Sequence, residues 1–380
     1  MTFVDNQVAL LSGLGLCETG LEVLTVSGSD APSWLTTLSS QKVADMAAGE
    51  SREMLFLDAA GHVSHAAGIV WAGEVAWLFS ADAPGLAAFL ESMEFHSRVE
   101  VKLCPDLLVW GFFAPSAARE VLAEFGPIWA DPWPGVTAGG TAYSPRDLVH
   151  PAGGYAAHLG VVPRAQLPQV RAHLNSVWAE GSWPVETEDG YSLSAPGVCR
   201  GFLIGDALRI AAWRPYGRDI DKRTLPHELD WLRTAVHLNK GCYCGQETVA
   251  RIVNLGRPPR RAVFLQLDGA LSQLPPPGAE LFCADSRVGS VLCSANHFED
   301  GPIALGLVKR AAPLGQLSVS WRAGDEEFSL PALQRLIVDS SGVSWRGQVS
   351  VNRKGFFDLK PPSAARSLNI GGIGGVLCAV

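Results

Sequence analysis

KGCYCGQETVAR, residues 240–251, sets Cys242 and Cys244 one residue apart between Gly241 and Gly245 and then runs into a helical pattern. Val249, Ile252 and Val253 recur at i, i+3 and i+4, Glu247 falls in the first turn, and Gly256 offers a stop. A metal would need two further ligands, and no second C-x-x-C or paired-histidine motif supplies them. A disulfide across one residue would close a strained ring. Two readings remain. With a helix opening near Gln246, the thiols lie by its N-terminus, where unpaired N–H groups and Lys240 favour a thiolate. Alternatively Cys242 is a small apolar residue packed under a glycine turn.

Upstream, LPHELDWLRTAVHL (225–238) starts with Pro226 and spaces Leu229, Leu232 and Val236 as one helical face that stops at Asn239–Gly241. HELDW lacks the second histidine of a zincin, because Trp231 stands there. Downstream, the basic run Arg251, Arg257, Arg260 and Arg261 is either a solvated loop or a local anion site. Beyond it AVFLQL, AELFCA, RVGSVLCSA, PIALGLVKR and QLSVSW read as short strands of a small barrel over 259–338. The tail, 339–380, has no assigned role and is expected to be poorly ordered.

Towards the N-terminus, LEVLTV reads as a strand, and Trp34, Leu35 and Leu38 follow at helical spacing after Ser29 or Asp30. Arg52–Ser80 reads as three strands broken at Ala60-Gly61 and Gly73-Glu74, followed by a helix in PGLAAFLESMEF. From 105 to 162 the pattern partly recurs, with a further helix at Leu167–Trp178. Strand runs mixed with single helices predict an α+β fold built on a pseudo-repeated sheet domain. The domain spans 1–258, with sub-halves 1–104 and 105–258. Residues 129–147, rich in Pro, Gly and Trp, read only as a loop.

Bulk properties narrow the function. The 380 residues carry a net charge of −8, so no global positive field gathers nucleic acid or an anionic membrane, and neither is expected as a partner. Asp5 stands where a secretory leader wants basic residues, and no apolar run is long enough to span a bilayer; a cytoplasmic location is expected. Eight cysteines are too sparse for a disulfide-stapled domain. Walker A, GxGxxG and GxSxG motifs are absent. His62 and His65 form an H-x-x-H that reads more readily as two partly exposed histidines than as metal ligands, and no metal site is assigned.

KGCYCGQETVAR resembles the motif of the YgfZ family of folate-binding proteins, with Cys242 as the family cysteine and Cys244 at a variable position. ALRIAAWRPYGRDID and LPHEL resemble the matching stretch of glycine cleavage T-proteins, and VGSVLCSANHFEDGPIALGLVKR resembles the barrel common to both groups. The likeness spans about residues 10–335. It implies an aminomethyltransferase-like α+β domain and a C-terminal barrel arranged as a ring around a tetrahydrofolate pocket. It also implies a role in maintaining iron–sulfur enzymes, some of them tRNA-modifying, with client or assembly proteins as partners and Cys242 as the functional thiol.

By the same resemblance, His65, Arg209, Glu228, Lys240, Gly241, Tyr243, Gly245, Gln246, Glu247, Arg251 and Arg257 are expected around the folate, the last two near a polyglutamate tail or a partner's acidic surface. Two departures stand out. His65 aligns with the catalytic aspartate of T-proteins, and Ala211 with a glutamate that contacts the pterin. An imidazole cannot supply the anionic charge of a carboxylate. Alternatives are therefore a tetrahydrofolate-dependent one-carbon transferase, with His65 or Glu228 as the acid, and a non-catalytic folate sensor.

Overall fold

The computed structural model describes residues 3–145, 148–179, 202–255, 257–271 and 273–339, with short strands at 185–186, 192–193, 197–199, 349–351 and 357–359. The chain opens with α1 (Phe3–Leu11), β1 (Gly15–Glu18), β2 (Glu22–Ser27), α2 (Ala31–Leu38), β3 (Ser51–Leu57), β4 (Val63–Trp71), β5 (Val75–Ser80), α3 (Ala83–Ser92) and β6 (Glu100–Leu103). Then come β7 (Leu107–Phe113), α4 (Ala118–Ala123), β8 (Trp129–Ala130), β9 (Ala157–Pro163), α5 (Leu167–Ala179), β10 (Val185–Glu186), β11 (Ser192–Leu193), β12 (Gly197–Cys199), α6 (Phe202–Ala211) and α7 (Gln246–Leu255).

Two five-stranded sheets result. The first runs β3-β4-β5-β2-β6 and is antiparallel throughout. The second runs β12-β1-β7-β9-β8, with β1 parallel to β12. Strand β1 lies before residue 104 in the sequence yet belongs to the second sheet. Helices α2 and α3 cover one face of the first sheet, burying Trp34, Leu35, Leu86 and Leu90 against Met54, Phe56 and Ile69. At the start of α2, Asp30 makes no side-chain cap; its carboxylate binds Arg98 instead.

The barrel closes through β13 (Arg260–Leu267), β14 (Glu280–Cys283), β15 (Ser286–His297), β16 (Gly301–Lys309), β17 (Gln316–Ala323) and β18 (Glu326–Leu336) in the order β13-β16-β15-β14-β17-β18. Five of these match the strands read from sequence. The sixth, β18, alternates exposed and buried residues around Leu330 and Ala332, and it contains Pro331 and two exposed glutamates that disguise it as a loop. Alternation also gives β13 two jobs. Val263 and Leu265 fill the barrel, while Ala262 and Phe264 face outward into the core shared with α6 and Trp231. Two short strands, β19 (Val349–Val351) and β20 (Phe357–Leu359), pair with each other; most of the expected disordered tail lies outside the described residues.

One sequence expectation fails. Residues 225–238 are not an α-helix but two single 3-10 turns, Pro226–Leu229 and Trp231–Arg233. Asp230 sits between them at φ +58°, and its buried carboxylate accepts from the Tyr143 amide and Arg233 Nε. Every residue from 225 to 236 is buried, so Leu229, Leu232 and Val236 mark no single apolar face. The backbone bonds go elsewhere: Thr137 N donates to Arg233 O, Thr141 N to Leu232 O, and Leu238 N to Gly139 O. Those partners belong to the stretch expected as a loop, whose residues 137–141 thereby form a strap. A side chain at Gly139 would come within 2.6 Å of the His237 ring.

Candidate functional site

The thiol loop alternates anchors with exposed groups. Cys242 and Cys244 are exposed, whereas Lys240, Tyr243 and Gln246 are buried. Lys240 Nζ donates to the carbonyls of Thr36 and Ser39, the orphan acceptors at the end of α2, and lies 4.3 Å from the centre of the Tyr243 ring. Burial lowers the Lys240 pKa to about 7, and the nearby Cys242 opposes that shift. Gly245 holds φ +77°; a Cβ there would meet Asp58 O at 2.6 Å and Gly61 Cα at 2.7 Å. The turn of the β3–β4 hairpin therefore presses against the loop just before α7 opens at Gln246. Cys242 is not packed beneath a glycine turn. It is presented to solvent on a clamped backbone.

Two adjoining clefts share Leu159 and Tyr216; the first runs along the second sheet at β1, β7 and β9, and the second lies between the two sheets. The first has Gly111 and Ala157 in its floor, Phe113, Tyr155, Tyr216 and Cys17 in its walls, and Asp206 and Arg218 at its rim. The second is walled by Ala66, Gly68, Phe79, Trp129 and Tyr216 and ends at Glu53 and Arg214. In the second cleft the Trp129 indole lies directly on Gly68, where a Cβ would meet it at 2.6 Å.

Buried charges frame these clefts. Trp213, at φ +58°, turns the chain after α6. Arg214 follows, bridging Glu53 at 2.8 Å and Asp131 at 2.9 Å. Glu53 also accepts from Trp231 Nε1 and Thr234 Oγ1. Burial pushes the Glu53 and Asp131 carboxyls up, and the Arg214 guanidinium opposes it. Arg209 is bidentate to Asp219 at 2.7 and 3.1 Å and also binds Asp206. The guanidiniums of Arg209, Arg214 and Arg218 all lie within 5.0 to 5.6 Å of the Tyr216 ring centre.

The residues expected at the site are dispersed. Arg209 stands behind the first cleft as an ion-pair hub, 1% exposed. Both Glu228 oxygens are occupied, by Arg260 Nε, Arg260 Nη2 and the amides of Leu225 and Arg260, so this carboxylate locks β13 to the 226–229 turn. His65 pairs with Phe56 and packs on Phe89 at 5.6 Å, with Asp82 Oδ2 3.5 Å away. It faces α3, and burial lowers its pKa. Its neighbour Ala66 lines the cleft. Gly241 lies in the thiol loop, and Glu247 is exposed in the first turn of α7.

The basic run splits. Arg260 binds Glu228 and Asp221, and Arg261 is 1% exposed and bonded to Gln334 and the Ala312 carbonyl. Arg251 and Arg257 are exposed, and neither lines a cleft. His62 pairs with Asp58 at 3.0 Å, away from His65. Sequence reading missed Glu53, Asp131, Arg214, Tyr216 and Trp129. A glutamate inside the strand SREMLFL was the one local hint.

No family model matches the chain, and no curated relative matches it. Among solved structures, the chain is similar to the crystal structure of glycine cleavage system aminomethyltransferase T from Bartonella henselae, with a TM-score of 0.60 over 92% of this chain and 91% of that one. The chain has the aminomethyltransferase T fold. At 18% identity the likeness extends to architecture alone. Within this fold the first cleft runs along the second sheet, the second lies between the two sheets, and the thiol loop lines neither. The β3–β4 hairpin touches both cleft and loop, since Glu53, Ala66 and Gly68 wall the second cleft while Asp58 and Gly61 clamp Gly245. Among the described residues no helix is long and apolar enough to cross a membrane.

Proposed function

We propose that the protein binds tetrahydrofolate in the paired clefts and uses Cys242 as an exposed thiol in the assembly or repair of iron–sulfur enzymes, tRNA-modifying ones among them, in the cytoplasm. The observation that carries this reading is the separation of roles along 240–246: Lys240, Tyr243 and Gln246 are buried as anchors while Cys242 is exposed, a geometry suited to meeting another protein. The resemblance of KGCYCGQETVAR to the folate-binding family supports the same conclusion.

The chemistry of the cleft walls supports a folate ring. The faces of Tyr155 and Tyr216 suit a planar ring. Bound there, tetrahydrofolate would supply nitrogens that carry a one-carbon unit. The test pairs two measurements. Cells lacking the gene should lose activity in several iron–sulfur enzymes, and Cys242→Ala should fail to restore it while the purified variant still binds tetrahydrofolate. Full rescue by Cys242→Ala would defeat the thiol's role.

A second reading is a tetrahydrofolate-dependent aminomethyl transfer, favoured by the shared architecture with aminomethyltransferase T. Against it, Ala66 rather than an acid faces the cleft, and the nearest carboxylate, Glu53, is engaged by Arg214, Trp231 and Thr234. Background-level turnover with aminomethyl or methyl donors would reject it.

A further inference from the structure

The floor of the first cleft is made of small and aromatic residues, but its rim is charged, and the pairing there is lopsided. Asp206 Oδ1 accepts from both Arg209 Nε and Arg218 Nη2. Arg209 also holds both oxygens of Asp219, so Asp206 keeps a buried partner whether or not Arg218 stays. Arg218 differs from the other two arginines around Tyr216. Its side chain is 35% exposed, against 1% for Arg209 and 2% for Arg214, and among the described residues Asp206 is its sole carboxylate. Glu18, the last residue of β1, is the other acid along this cleft.

We propose that Arg218 receives the terminal carboxylate of the ligand whose ring occupies the cleft; the assignment rests on the folate reading above. Asp206, 13% exposed, keeps Arg209 when Arg218 leaves, so trading Asp206 for a ligand oxygen leaves no buried carboxylate without a cation. The planar guanidinium can hold both oxygens of the incoming group. In a chain of net charge −8 an anion has to be held by such a local cation. Arg251 and Arg257, expected to hold the tail from sequence, line neither cleft, whereas Arg218 lies at the mouth with its guanidinium 5.6 Å from the Tyr216 ring centre.

The test compares tetrahydrofolate with tetrahydropteroate, which lacks the glutamate, by anaerobic calorimetry on the full chain. The wild type should bind tetrahydrofolate about tenfold more tightly, a difference of about 1.4 kcal/mol, and the preference should shrink as salt rises. Arg218→Ala should erase the preference and leave tetrahydropteroate affinity unchanged, and Arg218→Lys should keep part of it. Equal affinity of the wild type for both ligands would overturn the assignment while leaving the folate reading intact, as would an Arg218→Ala loss that is the same for both. Failure of the wild type to bind either ligand would overturn the folate reading, and this assignment with it.

Discussion

The thiol loop and the clefts solve opposite problems with the same residue types. In the clefts the charged groups satisfy one another: Arg214 bridges Glu53 and Asp131, Arg209 grips Asp219 and Asp206, and little is left to react. In the loop the anchors are buried and the reactive groups face out, Lys240 pinned to α2 while Cys242 meets solvent. A buried network fixes a shape for a ligand, whereas an exposed thiol on a clamped backbone serves an encounter. The difference implies that the two regions can be damaged separately, with the β3–β4 hairpin as the route by which one would feel the other.

The largest effect should come from the cleft. Arg214→Met leaves Glu53 and Asp131 buried without their cation, and stability should fall by about 3–5 kcal/mol in urea unfolding. A loss below about 1 kcal/mol would mean that the network is not what frames the cleft. Next comes a pH dependence seated in the loop. The Lys240 pKa is about 7 when folded against an ordinary 10.5, so between these values the unfolded chain binds more protons and stability rises with pH. Lys240→Met should flatten that rise in melts recorded from pH 7 to pH 10.5. An unchanged slope would remove Lys240 as its source.

A third variant probes the connection. Gly245→Ala forces a Cβ against Asp58 O and Gly61 at a positive φ, and should cost about 1–3 kcal/mol. Amide exchange should quicken over 243–249, and ligand affinity should stay within about twofold if the regions are independent. A large loss of affinity would make the hairpin a coupling element. The smallest effect belongs to Cys244→Ser, an exposed substitution expected within about 0.5 kcal/mol in unfolding and silent in the rescue of iron–sulfur enzymes. Failure to rescue would return the functional thiol to a pair.

Legibility in the sequence followed the range of the interaction. The start of α7 and five of the six barrel strands depend on neighbours a few residues apart and were readable. His65 was not, because a bulge between Phe56 and Leu57 reverses the alternation of β4. Val63 joins the core shared with α6 and the barrel, while His65, two residues on, packs under α3. Glu228 was expected at the folate because nothing near it in sequence foretells Arg260 from the barrel strand.

By itself the sequence determined the α+β class, the closed barrel's position and the thiol motif, because hydrophobic period, glycine positions and helix starts are written within single turns of chain. Only the tertiary structure decided which charges cancel and which remain. Arg260 is consumed at the junction with the 226–229 turn and Arg261 within the barrel, Arg209 and Arg214 are sealed around Tyr216, and Arg218 alone of that ring of three faces solvent. Partner choice among charges is a matter of long-range juxtaposition and desolvation, and neither is encoded in the spacing of residues along the chain.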